Sequence, residues 1–201
     1  MSKVKICGLS RAEDIEAVNA ALPDYAGFVF AESRRHVDER TAAKLRGDLD
    51  SRIGAVGVFV NEDIEKVTRL FEKGIIDIAQ LHGDEDEDYI RTLKESCGCR
   101  VIKTVSMENI MPDIPKGPDY LLFDTLSAER GGTGRTFDWH IIKGFDKKPY
   151  FLAGGLNAAN VREAIGLLSP YCVDVSGGVE TNGVKDAAKI KEFVNIVRRA
   201  D

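Results

Sequence analysis

Eight short runs rich in β-branched and aromatic residues recur along this 201-residue chain, and longer segments with helical spacing lie between most of them. The runs are VKIC (4–7), AGFVF (26–30), IGAVGVFV (53–60), IAQLH (78–82), RVIKTV (100–105), YLLFD (120–124), YFLAG (150–154) and CVDVS (172–176). RAEDIEAVNAAL puts Ile15, Val18 and Leu22 on one side, and EDIEKVTRLFEKG does the same with Ile64, Val67, Leu70 and Phe71 before a stop at Gly74. Three further segments, DEDYIRTLKESCG, ANVREAIGLL and KDAAKIKEFVNIVRRA, behave alike. Ser10, Asp38 and Asn61 stand where N-caps belong. The pattern is weakest over 106–118, which holds Pro112, Pro115 and Pro118, and over 137–144, where only a short helix fits.

Strand and helix alternating eight times leave two α/β architectures. A doubly wound sheet rarely uses eight strands in so short a chain, whereas a closed (β/α)8 barrel fits, and its strands read as near-continuous apolar runs as expected when helices cover them. No linker, repeat or low-complexity tract interrupts the pattern, so residues 1–201 are expected to form a single TIM-barrel domain.

A formal net charge of -5 argues against a general nucleic-acid or acidic-membrane partner while leaving room for a local anion site. The N-terminus lacks the apolar core of a signal peptide, and no run of about 18 apolar residues is available to span a bilayer, so a cytoplasmic location is expected. Four scattered cysteines do not make a disulfide framework. Cys97-Gly98-Cys99 lacks the second ligand pair a zinc site needs, so no metal is expected; Gly98 reads as a helix cap.

In a barrel of this kind chemistry gathers where strands end. AGGLN after strand 7 and DVSGGVE after strand 8 are glycine-rich turns leading into helices, a pairing suited to phosphate, with Gly154, Gly155, Ser176, Gly177 and Gly178 as its candidates. GGTGR (131–135), after strand 6, resembles a lid and lacks the GK[ST] ending of a P-loop, so ATP is not implied. Arg135 within it is either an anion contact or a solvated side chain. Cys7 and Asp124 end strands 1 and 6. A thiolate and a carboxylic acid facing each other there suit proton removal and proton donation, although position alone also permits a buried small side chain and a loop cap. For that chemistry Cys7 needs help to ionise from a free value of about 8.5, and Asp124 must rise from about 3.9.

Taken in order, KICGL, GFVF followed by SRR, GVFV, QLHGDE, FDT followed by GGTGR and FDW, LAGGLN and VDVSGGVE with a downstream KD resemble the phosphoribosylanthranilate isomerase family over nearly the whole chain. The resemblance implies a (β/α)8 barrel that carries out an Amadori rearrangement on a phosphosugar without a cofactor. It implies Cys7 as general base, Asp124 as general acid, Arg35 on the anthranilate carboxylate and the two glycine turns on the phosphate. AES before Arg34 replaces a proline-containing turn common in the family, which leaves Arg34 as the alternative to Arg35. SGG stands where SSG is common, and GGTGR where GGTGK is usual. His82 in QLHGDE is either near the aromatic ring of the substrate or held by loop hydrogen bonds. Asp174 is either orienting or structural. The partners implied are a small-molecule phosphosugar, no nucleic acid and no membrane, with the chain a monomer or homodimer. A related histidine-pathway isomerase would place aspartates at the ends of strands 1 and 5, where this chain has Cys7 and KTVS. A retired, non-catalytic barrel would have lost its acid or base.

Overall fold

In the computed structural model, which describes residues 1–108, 110–125 and 136–200, the eight runs become eight parallel strands hydrogen-bonded in sequence order. They are β1 (Lys3–Cys7), β2 (Tyr25–Val29), β3 (Gly54–Phe59), β4 (Ile78–Leu81), β5 (Arg100–Met107), β6 (Tyr120–Thr125), β7 (Tyr150–Leu152) and β8 (Cys172–Val175). β1 pairs back onto β8 with Lys3 opposite Cys172 and Lys5 opposite Asp174, which closes the barrel. Helices α1 (Ala12–Ala21), α2 (Glu39–Asp48), α3 (Ile64–Glu72) and α4 (Glu87–Cys97) follow the first four strands, while α5 (Val161–Leu168) and α6 (Ala187–Arg198) follow the last two. Among the described residues no helix follows β5, and β6 is followed only by the 3-10 turn Trp139–Ile142. These are the intervals that hold Pro112, Pro115 and Pro118 and the stretch 137–144, where only a short helix fits. No helix among the described residues is long and apolar enough to cross a membrane.

Two N-caps differ from expectation. Arg11, not Ser10, caps α1, because the Asp14 carboxylate turns back to accept from the N–H groups of both residues. Asp63, not Asn61, caps α3; Asn61 instead adopts a left-handed conformation and its side chain accepts from the Asp84 N–H at 2.8 Å. Asp38 caps α2 as expected, accepting from Thr41, and Gly98 ends α4 at φ 69°.

Successive residues of a strand face opposite ways, so every second side chain enters the barrel. Lower down the filling is aromatic and aliphatic: Tyr25, Val56, Ile78, Ile102, Leu122, Phe151 and Cys172 form one cluster. Towards the C-terminal ends it turns polar, through Lys5, Gln80, Thr104, Asp124 and Asp174. The strand N-termini share a device. Asp24, Asp77 and Asp119, each just before an even-numbered strand, accept from the N–H of Val4, Ala55 and Val101 respectively, and Arg198, Arg46 and Lys94 neutralise them in turn. These bonds fix neighbouring strands in register at the floor, the end opposite the mouth.

Candidate active site

A cavity of about 990 Å³ opens at the C-terminal end of the barrel. It brings together Cys7, Arg35, Asp124, Gly154, Gly155, Ser176, Gly177 and Gly178. These eight candidates read from the sequence therefore line one space. GGTGR and Arg135 lie outside the described residues.

Cys7 is the last residue of β1 and is nearly buried. Its thiol is raised above the ordinary value: burial pushes it up, the Lys5 ammonium pulls it part of the way back, and the Asp174 carboxylate pushes it up again. Asp124, on β6, is three positions from β1 around the closed sheet. Burial, reinforced by the charge of Asp174, raises its carboxyl to about 6, against opposing effects of the Thr125 N–H and Lys5. Near neutral pH this carboxyl exchanges its proton readily, as a general acid must.

His82 now has a place. Gln80 Nε2 at 3.2 Å and the Thr104 hydroxyl at 3.1 Å both reach its Nδ1. With the Gln80 amide so oriented, Nδ1 accepts and Nε2, 3.6 Å from Asp124 Oδ2, carries the hydrogen. The imidazole thus faces the acid as well as being held by its neighbours. Asp174 Oδ2 accepts from the buried Lys5 ammonium at 2.8 Å, while Oδ1 is buried without a hydrogen-bond partner among the described residues.

Both arginines of SRR reach the mouth and share one carboxylate. Arg35 donates from Nε and Nη2 to Glu180 at 2.8 and 3.2 Å, and Arg34 donates to Glu180 Oε2 at 2.6 Å. Arg35 is the more enclosed, with its side chain 16% exposed against 53% for Arg34. Its stem lies where a side chain on Gly8 would sit, 2.4 Å from the position of a Cβ. Lys185 completes the group, donating to Glu180 at 2.7 Å and to the carbonyl and hydroxyl of Ser176 at 3.0 and 3.2 Å. Burial alone would raise Glu180, yet hydrogen bonds from Arg35 and Lys185 hold it down to about 2. Sequence reasoning missed Glu180, although it stands within the SGGVE stretch; an acid beside an expected anion site looks misplaced until its three cationic partners are seen together.

The two glycine turns pack against each other. A Cβ on Gly178 would lie 2.0 Å from the Leu156 carbonyl oxygen, and Gly154, at φ 83°, passes so close to Thr125 that a Cβ would meet its hydroxyl at 2.3 Å. No carbonyl or side chain among the described residues accepts from the N–H groups of Gly155, Gly177 and Gly178. Donors without a partner among the described residues, on two turns that line one cavity, have the character of an anion site.

Known proteins match this chain in sequence and in fold. The family described as N-(5'phosphoribosyl)anthranilate (PRA) isomerase matches residues 4–196. A curated N-(5'-phosphoribosyl)anthranilate isomerase of Endomicrobium trichonymphae is 52% identical over 199 residues, covering 98% of this chain and 99% of its own. The crystal structure of phosphoribosyl anthranilate isomerase from Thermotoga maritima superposes with a TM-score of 0.85 at 34% identity, covering 98% of this chain and 99% of its own. A phosphoribosyl anthranilate isomerase solved in complex with reduced 1-(o-carboxyphenylamino)-1-deoxyribulose 5-phosphate superposes at 0.82 with 32% identity, covering 98% and 99%.

Proposed function

The chain belongs to the N-(5'-phosphoribosyl)anthranilate isomerase family, and on that premise we propose how its barrel mouth performs the isomerisation: Asp124 is the general acid, Cys7 the general base, and Arg35 with the two glycine turns holds the ends of the substrate. The reaction is the Amadori rearrangement of N-(5-phosphoribosyl)anthranilate to 1-(2-carboxyphenylamino)-1-deoxyribulose 5-phosphate, a step of tryptophan biosynthesis. The observation that carries these roles is the presence, in one cavity, of a strand-end thiol and a carboxyl raised to about 6.

Asp124 gives its proton to the furanose ring oxygen as the bond from that oxygen to C1 breaks, and the anthranilate nitrogen lone pair forms the C1 iminium. The Cys7 thiolate then removes the proton from C2, and the electron pair of that bond flows into the iminium to give an enolamine. C1 gains a proton and the C2 hydroxyl gives one up, which leaves the ketone. The iminium itself is the electron sink, so this sequence calls on side chains alone. Arg35 offers two N–H groups in one plane to the anthranilate carboxylate. For that contact its guanidinium turns from Glu180, which keeps Arg34 and Lys185. The phosphate occupies the donors of Gly155, Gly177 and Gly178. The whole chain, residues 1–201, is taken as one domain serving one site.

Arg35→Ala is expected to raise KM roughly 10- to 100-fold with a smaller effect on kcat, since a hydrogen bond to a charged group that is equal in ground and transition states is lost. Steady-state kinetics decide this, and an unchanged KM transfers the contact to Arg34. Gly178→Ala should force the two turns apart, because the obstacle is backbone and cannot swing away. Its expected signature is weaker inhibition by inorganic phosphate together with a higher KM; inhibition equal to wild type would place the phosphate elsewhere.

Complementation tests the activity itself. A bacterium lacking its own phosphoribosylanthranilate isomerase should grow without tryptophan when it expresses this chain. Absence of growth despite abundant folded protein would contradict the assignment.

A further inference from the structure

Lysine is the most unexpected side chain in the barrel interior. Lys5 is wholly buried, on the inward face of β1, two residues before Cys7 and therefore on the same side of the strand. Its register partner across the closing seam is Asp174, whose Oδ2 accepts from the ammonium at 2.8 Å. Burying an ammonium costs several kcal/mol unless a fixed partner compensates it, and replacing such a pair with apolar side chains is often neutral or stabilising. Folding alone therefore gives little reason for this pair at the base of the mouth.

We infer that Lys5 is a positioning residue for the reaction: anchored by Asp174, it is the fixed positive charge that works against burial and eases the ionisation of Cys7 that the base step requires. The inference rests on the base role proposed for Cys7. An ammonium has three donors and Asp174 takes one, and Lys5 shares the inward face of β1 with Cys7 two residues on, so its charge acts on the sulfur. Burial would favour a neutral amine, yet Asp174 and Cys7 keep Lys5 protonated. The charged groups facing Cys7 are Lys5 on its own strand, Asp174 from β8 and Lys185 from the short strand Val184–Lys185; Arg35 and Asp124 line the same cavity. Lys185 is a poorer candidate because Glu180 and two oxygens of Ser176 already occupy it. Asp174 in turn fixes the ammonium at the cost of raising both Cys7 and Asp124, which favours the proton on Asp124 and makes Lys5 the more necessary for Cys7.

The test reads the thiol directly. The rate at which iodoacetamide alkylates Cys7, followed by peptide mass spectrometry across pH, gives its ionisation midpoint in wild type, in Lys5→Met and in the paired variant Lys5→Met/Asp174→Asn. The paired variant leaves no buried charge without its partner, so it keeps the test alive if the single variant does not fold. Both midpoints should move upward, the single variant by about one pH unit or more and the paired one by less. Turnover in either variant should recover as pH rises, which a merely structural defect would not produce. A folded variant whose midpoint coincides with wild type overturns the inference. Because alkylation does not depend on turnover, a failure of Cys7 as base would be seen separately, as full activity in Cys7→Ala.

Discussion

Replacing Cys7 with alanine should lower kcat by about 100- to 10,000-fold and leave KM within a few-fold of wild type, the pattern expected when a group acts on the transition state more than on the bound substrate. The substitution is well suited to the question because the thiol sits in a prepared space. Cys7 is opposite Gly27 on β2, where any Cβ would come within 2.8 Å of the sulfur, so alanine removes the base and fills no other role. Serine is the sharper control. It keeps the size of the side chain, but a hydroxyl is far harder to ionise than a thiol, and so Cys7→Ser should be nearly as inactive as Cys7→Ala. Substantial turnover in serine would assign the proton removal to another group.

Asp124→Asn should produce a loss of the same order in kcat, about 100- to 10,000-fold, since the amide retains the shape of the carboxyl and has no proton to donate to the ring oxygen. Folding should respond in the opposite sense. Asp124 titrates at about 6 in the folded chain, above the ordinary value near 3.9, so the folded state binds the extra proton and stability falls as pH climbs through that window. Above pH 6 the native protein carries the full cost of an ionised, mostly buried carboxylate. The asparagine variant escapes it and should be more stable at pH 7 to 8, by on the order of 1–3 kcal/mol, with the advantage disappearing below pH 4. Thermal melts of the two proteins at pH 4 and pH 8 measure this. An asparagine variant that is inactive and less stable at pH 8 would mean that Asp124 serves the fold, and its loss of activity would then follow from damage to the mouth.

These opposite signs help explain what could be read from the linear sequence. The strands were legible because each is buried on both faces and leaves a run of apolar residues; β2 and β3 are found within a residue or so of AGFVF and IGAVGVFV. The polar interior was harder to read because it interrupts those runs only singly, as Lys5 in VKIC, Gln80 in IAQLH and Asp174 in CVDVS. Asp124 and Cys7 were visible as strand ends, and the double-glycine turns as anion donors, because position in a barrel and residue type both point there. Glu180 was hidden for a different reason. Its importance comes from Arg34 and Arg35, some 145 residues away, and from Lys185, which meet only after β1 closes on β8. His82 was visible as a residue but undecided, since its tautomer depends on Gln80 and on Thr104 from the next strand. The aspartates at the barrel floor likewise announce nothing locally: PDY at 23–25 and 118–120 and IDI at 76–78 became a shared motif once their side chains were seen tying odd-numbered strands to even ones.

One assay tests the acid and the base together. Freshly generated N-(5-phosphoribosyl)anthranilate would be mixed with wild type, Cys7→Ala and Asp124→Asn, with EDTA present throughout, and the loss of anthranilate-type fluorescence followed. Rapid loss with wild type and a collapse in both variants, each shown to be folded, is the predicted result. Full turnover in either variant would contradict its residue's role, and no turnover by folded wild type would contradict the isomerase itself.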